Sequence, residues 1–83
     1  MRLTYDPSAD AAYLHLADPI GDGESATQIH SITTPGDRGE VALDFDADGC
    51  LLGIEVLHAS AVLPAGVLAD AERLKHDAEE DLA

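Results

Sequence analysis

Hydrophobic and polar residues alternate in two parts of the chain, residues 2–16 and residues 41–57, in the manner typical of strands with one buried face. In the first part, Pro7 and the Asp and Ser residues around it interrupt the alternation. Proline presets the backbone angle that a turn requires, and short polar side chains bond to nearby backbone groups. In the second part, residues 46–49 supply similar turn chemistry. Both segments are therefore predicted to be β-hairpins.

In the first hairpin the alternation assigns side chains to faces. Ala12 and Leu14 fall on one face of the second strand, and Tyr13 and His15 fall on the other. Both tyrosines of the chain, Tyr5 and Tyr13, are expected to fill the core with their hydroxyl groups reaching an edge.

In the second hairpin the apolar pattern predicts a register, because a slip of one residue would turn half of the apolar side chains to solvent. Pairing Phe45 with Cys50 places seven residues on one face: Val41, Leu43, Phe45, Cys50, Leu52, Ile54 and Val56. Cys50 is then a small buried hydrophobe. The same register places Glu55 opposite Glu40.

The remaining segments complete the predicted fold. Residues 25–32 form a weaker strand between two loops, and Ser60 is a plausible N-cap for a short turn ending at Leu63. Apolar residues at helical spacing predict a C-terminal helix over about residues 65–80. The expected fold class is α+β, a small antiparallel β-meander of four or five strands with hairpins 2–16 and 41–57 and this helix, in a single domain 1–83.

Composition adds constraints on partners. The chain has 17 acidic and 4 basic residues and a formal charge of −13, which argues against nucleic acids and anionic membrane surfaces as partners. Alanine supplies much of the apolar content, so the core is thin, and a small domain of this kind needs further stabilisation. A lone cysteine forms no internal disulfide. Self-association is therefore expected, with an oligomeric state that depends on salt, and the start of the chain favours a cytoplasmic location.

One string of residues matches a calcium-binding pattern. Asp44, Asp46, Asp48, Gly49 and Glu55 have the spacing of an EF-hand loop. The flanks alternate like strands, whereas an EF-hand requires helices on both sides. The favoured interpretation is a hairpin turn, and a weak divalent-cation site at Asp44, Asp46 and Asp48 is an alternative.

Nucleophilic or metal chemistry has little support in the spacing of histidines and serines. No two of the four histidines are four residues apart, so no helix face carries two metal ligands, and no nucleophile-elbow motif occurs. No catalytic residue and no cofactor are assigned. Tyr13, His15 and Glu55 form a possible functional surface, and a small enzyme with a site near them is an alternative function.

Several motif positions coincide with one known family. The chain resembles the domain-of-unknown-function 2283 family through three segments: Tyr5-Asp6-Pro7-x-Ala9-Asp10-Ala11-x-Tyr13-Leu14-x-Leu16, then 41–46, and Asp48-Gly49-x-Leu51-x-Gly53-Ile54-Glu55-Val56-Leu57 with Ala59-Ser60. The resemblance implies a family-like core over 3–60, a largely antiparallel domain and no catalytic residues. It carries no expectation for the loop 33–40 or for the acidic helical tail 65–83.

Within this resemblance Glu55 is the least easily explained residue. A carboxylate opposite Glu40 is electrostatically unfavourable, and pairing with Arg2, with Arg38 or with another subunit is the favoured explanation. The function expected from the sequence is that of a non-enzymatic protein-interaction or self-associating module, with a homo-oligomer and an unknown protein as partners.

Overall fold

Six strands form one mixed sheet in the spatial order β3-β4-β5-β2-β1-β6 in the computed structural model, which describes residues 1–74. The strands are β1 Arg2–Asp6, β2 Ala11–His15, β3 Thr27–Thr33, β4 Glu40–Phe45, β5 Leu51–Leu57 and β6 Glu72–Arg73. Helix α1 spans Ala59–Val62 and helix α2 spans Ala65–Asp70, and a 3₁₀ turn occupies Pro35–Asp37. The α+β class and both hairpins are confirmed, but four or five strands is wrong because β6 adds a sixth.

The strands do not follow one another as a simple meander. Strands β3, β4 and β5 are consecutive antiparallel neighbours, but β2 then pairs with β5, and β6 lies parallel to β1. The two hairpins thus join along β2 and β5, and this pairing places Ala12 beside Val56 and Leu14 beside Ile54 on one continuous apolar face.

The core lies between one face of this sheet and the two helices. On this core face, Tyr5, Ala12 and Val56 pack with Ala59 and Ala71 from the helical segment. Partly buried residues surround this cluster, namely Leu3, Val41, Ile54, Val62, Leu63 and Leu68. The opposite face, termed the polar face, carries Tyr13, His15 and Glu55, as the strand register requires. Tyr5 is in the core as predicted, but Tyr13 is not.

The predicted helix over about residues 65–80 ends much earlier. Helix α2 stops at Asp70, and Ala71 has extended backbone angles. Ala71 is buried, and the Leu74 amide donates to the Tyr5 carbonyl while residues 72–73 pair with β1. These contacts override a helical spacing that predicts a longer helix. The rest of that prediction, residues 75–80, lies outside the described residues, as does most of the acidic tail.

The predicted register of the second hairpin is also wrong, by one residue at Phe45 and by two residues beyond the bulge, where Leu43 pairs with Ile54. Phe45 pairs with Leu51, and a bulge precedes Gly53, so Ala42 rather than Glu40 lies opposite Glu55. A bulge places two residues of one strand against one of its partner, so it changes the register of every pair beyond it. Cys50 consequently lies in the turn and is exposed, not on the core face.

Helix α1 starts in a way that the sequence did not predict. It begins at Ala59, and His58 rather than Ser60 holds the N-cap position, in the left-handed conformation. Ser60 instead uses its hydroxyl and amide groups to donate to the Asp10 carboxylate, at 2.7 and 3.0 Å. The Tyr5 hydroxyl donates to the same carboxylate at 2.8 Å. Asp10 thereby ties the first hairpin to the helical segment.

Candidate functional site

The polar face brings together the three residues that the sequence singles out. Tyr13 and Glu55 are direct cross-strand partners, and His15 follows Tyr13 on the same face. The rings of Tyr13 and His15 meet edge to face with centroids 4.7 Å apart. The sequence therefore placed these side chains on one surface correctly.

Tyr13 is fixed in place by its contacts. Its ring lies over Gly53, where a Cβ atom would come within 2.6 Å of Tyr13 Cε2, so any side chain at residue 53 would displace the ring. Its hydroxyl donates to Asp44 Oδ2 at 2.7 Å, and Gln28 Nε2 donates to Asp44 Oδ1 at 2.9 Å. Burial raises the pKa of Tyr13, and the hydrogen bond to Asp44 raises it further. The phenol is therefore a protonated structural donor on this face.

His15 also has a structural partner. Its Nε2 atom lies 3.2 Å from the hydroxyl oxygen of Thr4, which is buried beneath the polar face. The hydroxyl of Thr4 thus has a hydrogen-bond partner, which a buried polar group requires. Both aromatic side chains of the predicted surface are accordingly held by neighbours that the chain itself supplies.

Glu55 differs from Tyr13 and His15 because no hydrogen bond or ion pair engages its carboxylate among residues 1–74. Arg2, one of its predicted partners, bonds to Asp18 and Glu72 instead, and Arg38 makes no ion pair with Glu55 in the described part of the chain. The predicted pairing of Glu55 with Arg2 or Arg38 is therefore wrong within residues 1–74.

A shallow depression of about 270 Å³ lies beside Glu55 on the sheet. Its polar lining consists of Gln28, His30, Ser31, Glu40 and Glu55, and its apolar lining consists of Val41, Ala42 and Leu57. Glu40 lies opposite Leu57, two residues along from Glu55, which makes the two glutamates diagonal neighbours about 7–8 Å apart between Cα atoms. Tyr13 and His15 do not line the depression.

Strand β3 forms one side of the depression and one edge of the sheet. All seven of its residues are exposed, and β4 is its sole strand neighbour in the described part of the chain. Its pairing shifts between Ile29 and Ile32, where Ser31 takes a φ of 63° and its hydroxyl lies 3.0 Å from His30 Nδ1. The bulge turns His30 and Ser31 toward the depression.

The acidic turn that resembles a calcium loop uses two of its carboxylates, those of Asp44 and Asp46, for other contacts. Asp46 Oδ1 accepts the amides of Asp48 and Cys50, both at 2.9 Å, and Gly49 has a φ of 84°. Asp44 bonds to Tyr13 and Gln28 on the polar face. Among residues 1–74 no three His, Cys, Asp or Glu residues are grouped closely enough to hold a metal ion. The turn interpretation of residues 46–49 is supported by these bonds.

Two features of this surface escaped the sequence reasoning. The first is the depression, which depends on which strands become neighbours. The second is the open edge at β3, for which a signal exists: residues 25–36 contain no Asp, Glu, Lys or Arg, in a chain where charged residues are 25% of the total.

Comparisons with known proteins identify a family without a described function. The family model "Protein of unknown function (DUF2283)" matches residues 2–60 of the 83 residues. Searches of curated proteins and of solved structures find no match. Among the described residues no helix is long and apolar enough to cross a membrane. The matched region includes the first hairpin, the polar face, the depression and the Asp10–Ser60 contact, and on this match the chain belongs to the DUF2283 family.

Proposed function

We propose that this protein is a non-enzymatic, self-associating interaction module that pairs through the outer edge of β3. The observation that carries the proposal is the state of that edge, because β3 is seven residues long, exposed throughout and uncharged. An unpaired strand edge presents backbone donors and acceptors that another strand can bind. A second copy of β3, in antiparallel orientation, is the partner that we infer.

The sequence of β3 supports this use of the edge. Natural proteins protect exposed edges with lysine, proline, charged side chains, covering segments or bulges. Of these devices β3 has the bulge at residues 30–31 and lacks charge and proline. The bulge divides the edge into two short runs without covering either. Because the chain has many charged residues but places none in β3, the composition of this edge favours pairing with another strand over protection against it.

Exposed apolar surface next to the edge supports the same proposal. Ile29 and Ile32 pair with Leu43 and Val41, which places them on the core face beyond the area that the helices cover. Ile29 is 50% exposed and Ile32 is 38% exposed. Burial of apolar surface contributes about 25 cal/mol per Å². A copy docked along β3 would extend the sheet and bring two such apolar strips together.

Electrostatics favours this edge for association between copies. Two chains of charge −13 repel each other over most orientations. Contact through the uncharged segment 25–36 keeps carboxylates out of the interface centre, whereas contact through the polar face would bring Glu40 and Glu55 against their copies. A two-fold axis through an antiparallel β3 pair gives each copy the same contacts. Because that axis is perpendicular to the sheet, both polar faces then lie on the same side.

The test compares two lysine substitutions by light scattering over a concentration series from micromolar to millimolar protein. Ile29→Lys introduces charge at the open edge, and Val67→Lys, at a residue 44% exposed on α2, is the matched control with the same change in net charge. We expect the parent chain and the control to dimerise and Ile29→Lys to remain monomeric. A parent chain that stays monomeric throughout, or equal dimerisation of all three proteins, would contradict the proposal.

A further inference from the structure

We propose that the depression beside β3 binds the side chain of an arginine or lysine from a protein partner, with Glu40 and Glu55 as its charged ligands. The inference concerns the polar face and is separate from the pairing of β3 with its copy. Glu55 is half-buried as a residue, and its carboxylate has no hydrogen-bonding or ionic partner among residues 1–74.

The lining of the depression matches an amphipathic cation. Ala42 and Leu57 supply apolar surface, and Glu40 and Glu55 supply two carboxylates on the same face. Long basic side chains pack their methylene stems along apolar surface while their charged ends reach polar groups. A neutral apolar ligand would leave both carboxylates without a counter-charge, and an anion would be repelled. A cation with a short hydrocarbon stem satisfies both parts of the lining.

The spacing of the carboxylates favours a group with several donors. Diagonal cross-strand neighbours lie about 7–8 Å apart at the backbone, and a planar guanidinium carries five N–H donors that reach separate acceptors. Gln28, His30 and Ser31 add polar atoms on the β3 side. We therefore expect arginine to bind more tightly than lysine, whose ammonium is a compact point charge.

The charge of the whole molecule selects the same class of partner. A net charge of −13 attracts cationic surfaces at long range and speeds their association at low salt. Among residues 1–74 the three arginines do not neutralise this site, because Arg2 bonds to Asp18 and Glu72, Arg73 lies over the ring of Tyr5 at 5.1 Å, and Arg38 does not line the depression. A basic protein segment is thus the partner that the depression fits. In the proposed dimer, two such sites would lie on one side of the extended sheet.

The experiment titrates the full chain, labelled with nitrogen-15, with n-butylguanidinium and with its neutral analogue n-butylurea. We expect the cation to shift the amide signals of residues 28–31, 40–42 and 55–57, and the urea to leave them in place. Glu40→Gln and Glu55→Gln should each lower the affinity for the cation about tenfold, because each removes one charge-assisted hydrogen bond. Asp22→Asn, which removes the same charge from a loop outside the depression, should change the affinity less than about twofold.

Three results would overturn the inference: no shift with the cation, equal shifts with the urea, or an equal loss in Asp22→Asn, which would indicate a diffuse charge effect. A second arm uses a capped alanine–arginine–alanine peptide. If the peptide binds at least as tightly as butylguanidinium, the result supports an arginine side chain of a protein as the ligand. If the peptide does not bind, the ligand is not a protein side chain. The dimer is measured separately, so loss of cation binding with intact dimerisation contradicts this inference alone.

Discussion

The two edges of the sheet are built in opposite ways. The edge at β1 is covered by β6, a two-residue strand with a charge on each residue, and Arg2 bonds to Glu72 across it at 3.1 Å. The edge at β3 is seven residues long, uncharged and exposed. Short charged strands are a known protection against edge-to-edge pairing, and long uncharged ones are not. One edge therefore closes the fold, and the other leaves a long uncharged strand exposed, which is the basis for the proposed pairing through β3.

The same contrast continues into the core. At the β1 edge, helices α1 and α2 cover Tyr5, Ala12 and Val56, and Asp10 ties the first hairpin to Ser60. At the β3 edge, Ile29 and Ile32 stay partly exposed on the same face of the sheet. Buried apolar contacts are therefore concentrated at the covered end, whereas apolar side chains at the open end remain partly exposed to solvent.

The largest expected effect comes from removing a methyl pair in the covered core. Val56→Ala deletes a side chain that is 6% exposed, and we expect it to lower the free energy of unfolding by about 2 kcal/mol. Ile29→Ala at the open edge should cost less than about 0.5 kcal/mol in dilute protein. Urea denaturation of both variants measures the difference. Equal losses would remove the distinction between the two ends of the sheet.

A smaller effect is expected for the hydroxyl of Tyr13, which lies between the two ends. Tyr13→Phe keeps the ring over Gly53 and removes the 2.7 Å hydrogen bond to Asp44. We expect a loss of about 1 kcal/mol in the free energy of unfolding. The same denaturation experiment measures it, with Tyr5→Phe as a comparison at the covered end. An unchanged free energy of unfolding in Tyr13→Phe would show that water and Gln28 replace the lost hydrogen bond to Asp44 without cost.

The covered end should also respond to acid through Asp10. Hydrogen bonds from Ser60 and then Tyr5 hold the pKa of Asp10 below its ordinary value of 3.8. A depressed pKa contributes stability above the unfolded value, and this contribution is lost as pH falls through the folded value. Asp10→Asn should therefore melt at a lower temperature than the parent chain at pH 7, and the gap should narrow below about pH 4.

Thermal melts of both proteins across this pH range measure the gap. Asp22→Asn is the control, because no hydrogen bond involving the Asp22 side chain occurs among residues 1–74. A gap between parent and Asp10→Asn that is unchanged from pH 7 to about pH 3 would contradict the role given to the Asp10 carboxylate.

The smallest expected effect is that of salt on the open end, and it separates the two proposals. Raising ionic strength from about 0.01 M to about 1 M shortens the Debye length from about 30 Å to about 3 Å. Screening should strengthen dimerisation of the acidic chain a few-fold and weaken butylguanidinium binding. Light scattering and the amide titration measure the two trends. Stronger dimerisation together with weaker butylguanidinium binding at high salt would support both proposals. A dimer weakened by salt would indicate that ion pairs, and not the pairing of β3, hold the two copies together.

Sequence reasoning succeeded where the signal is local and periodic. The alternation through Ala12, Tyr13 and Leu14 assigned their faces correctly, and the chemistry of Asp46 and Gly49 marked a turn. It failed at the bulge before Gly53 and at the end of α2, because both depend on neighbours far away in the chain. The depression was not foreseen for the same reason: Glu40, Glu55 and Gln28 share it only after β3, β4 and β5 pair.

By itself the sequence determined the two hairpins, the separation of apolar and polar faces, the strong negative charge and the family. These properties follow from side-chain alternation, turn residues and composition, which act over a few residues at a time. The tertiary structure decided the strand order, the early end of α2, the fixed position of Tyr13 over Gly53 and the contrast between the edges. Each of these depends on free energy gained by contacts between distant segments, as when Ala71 leaves a helical spacing to pack against the core.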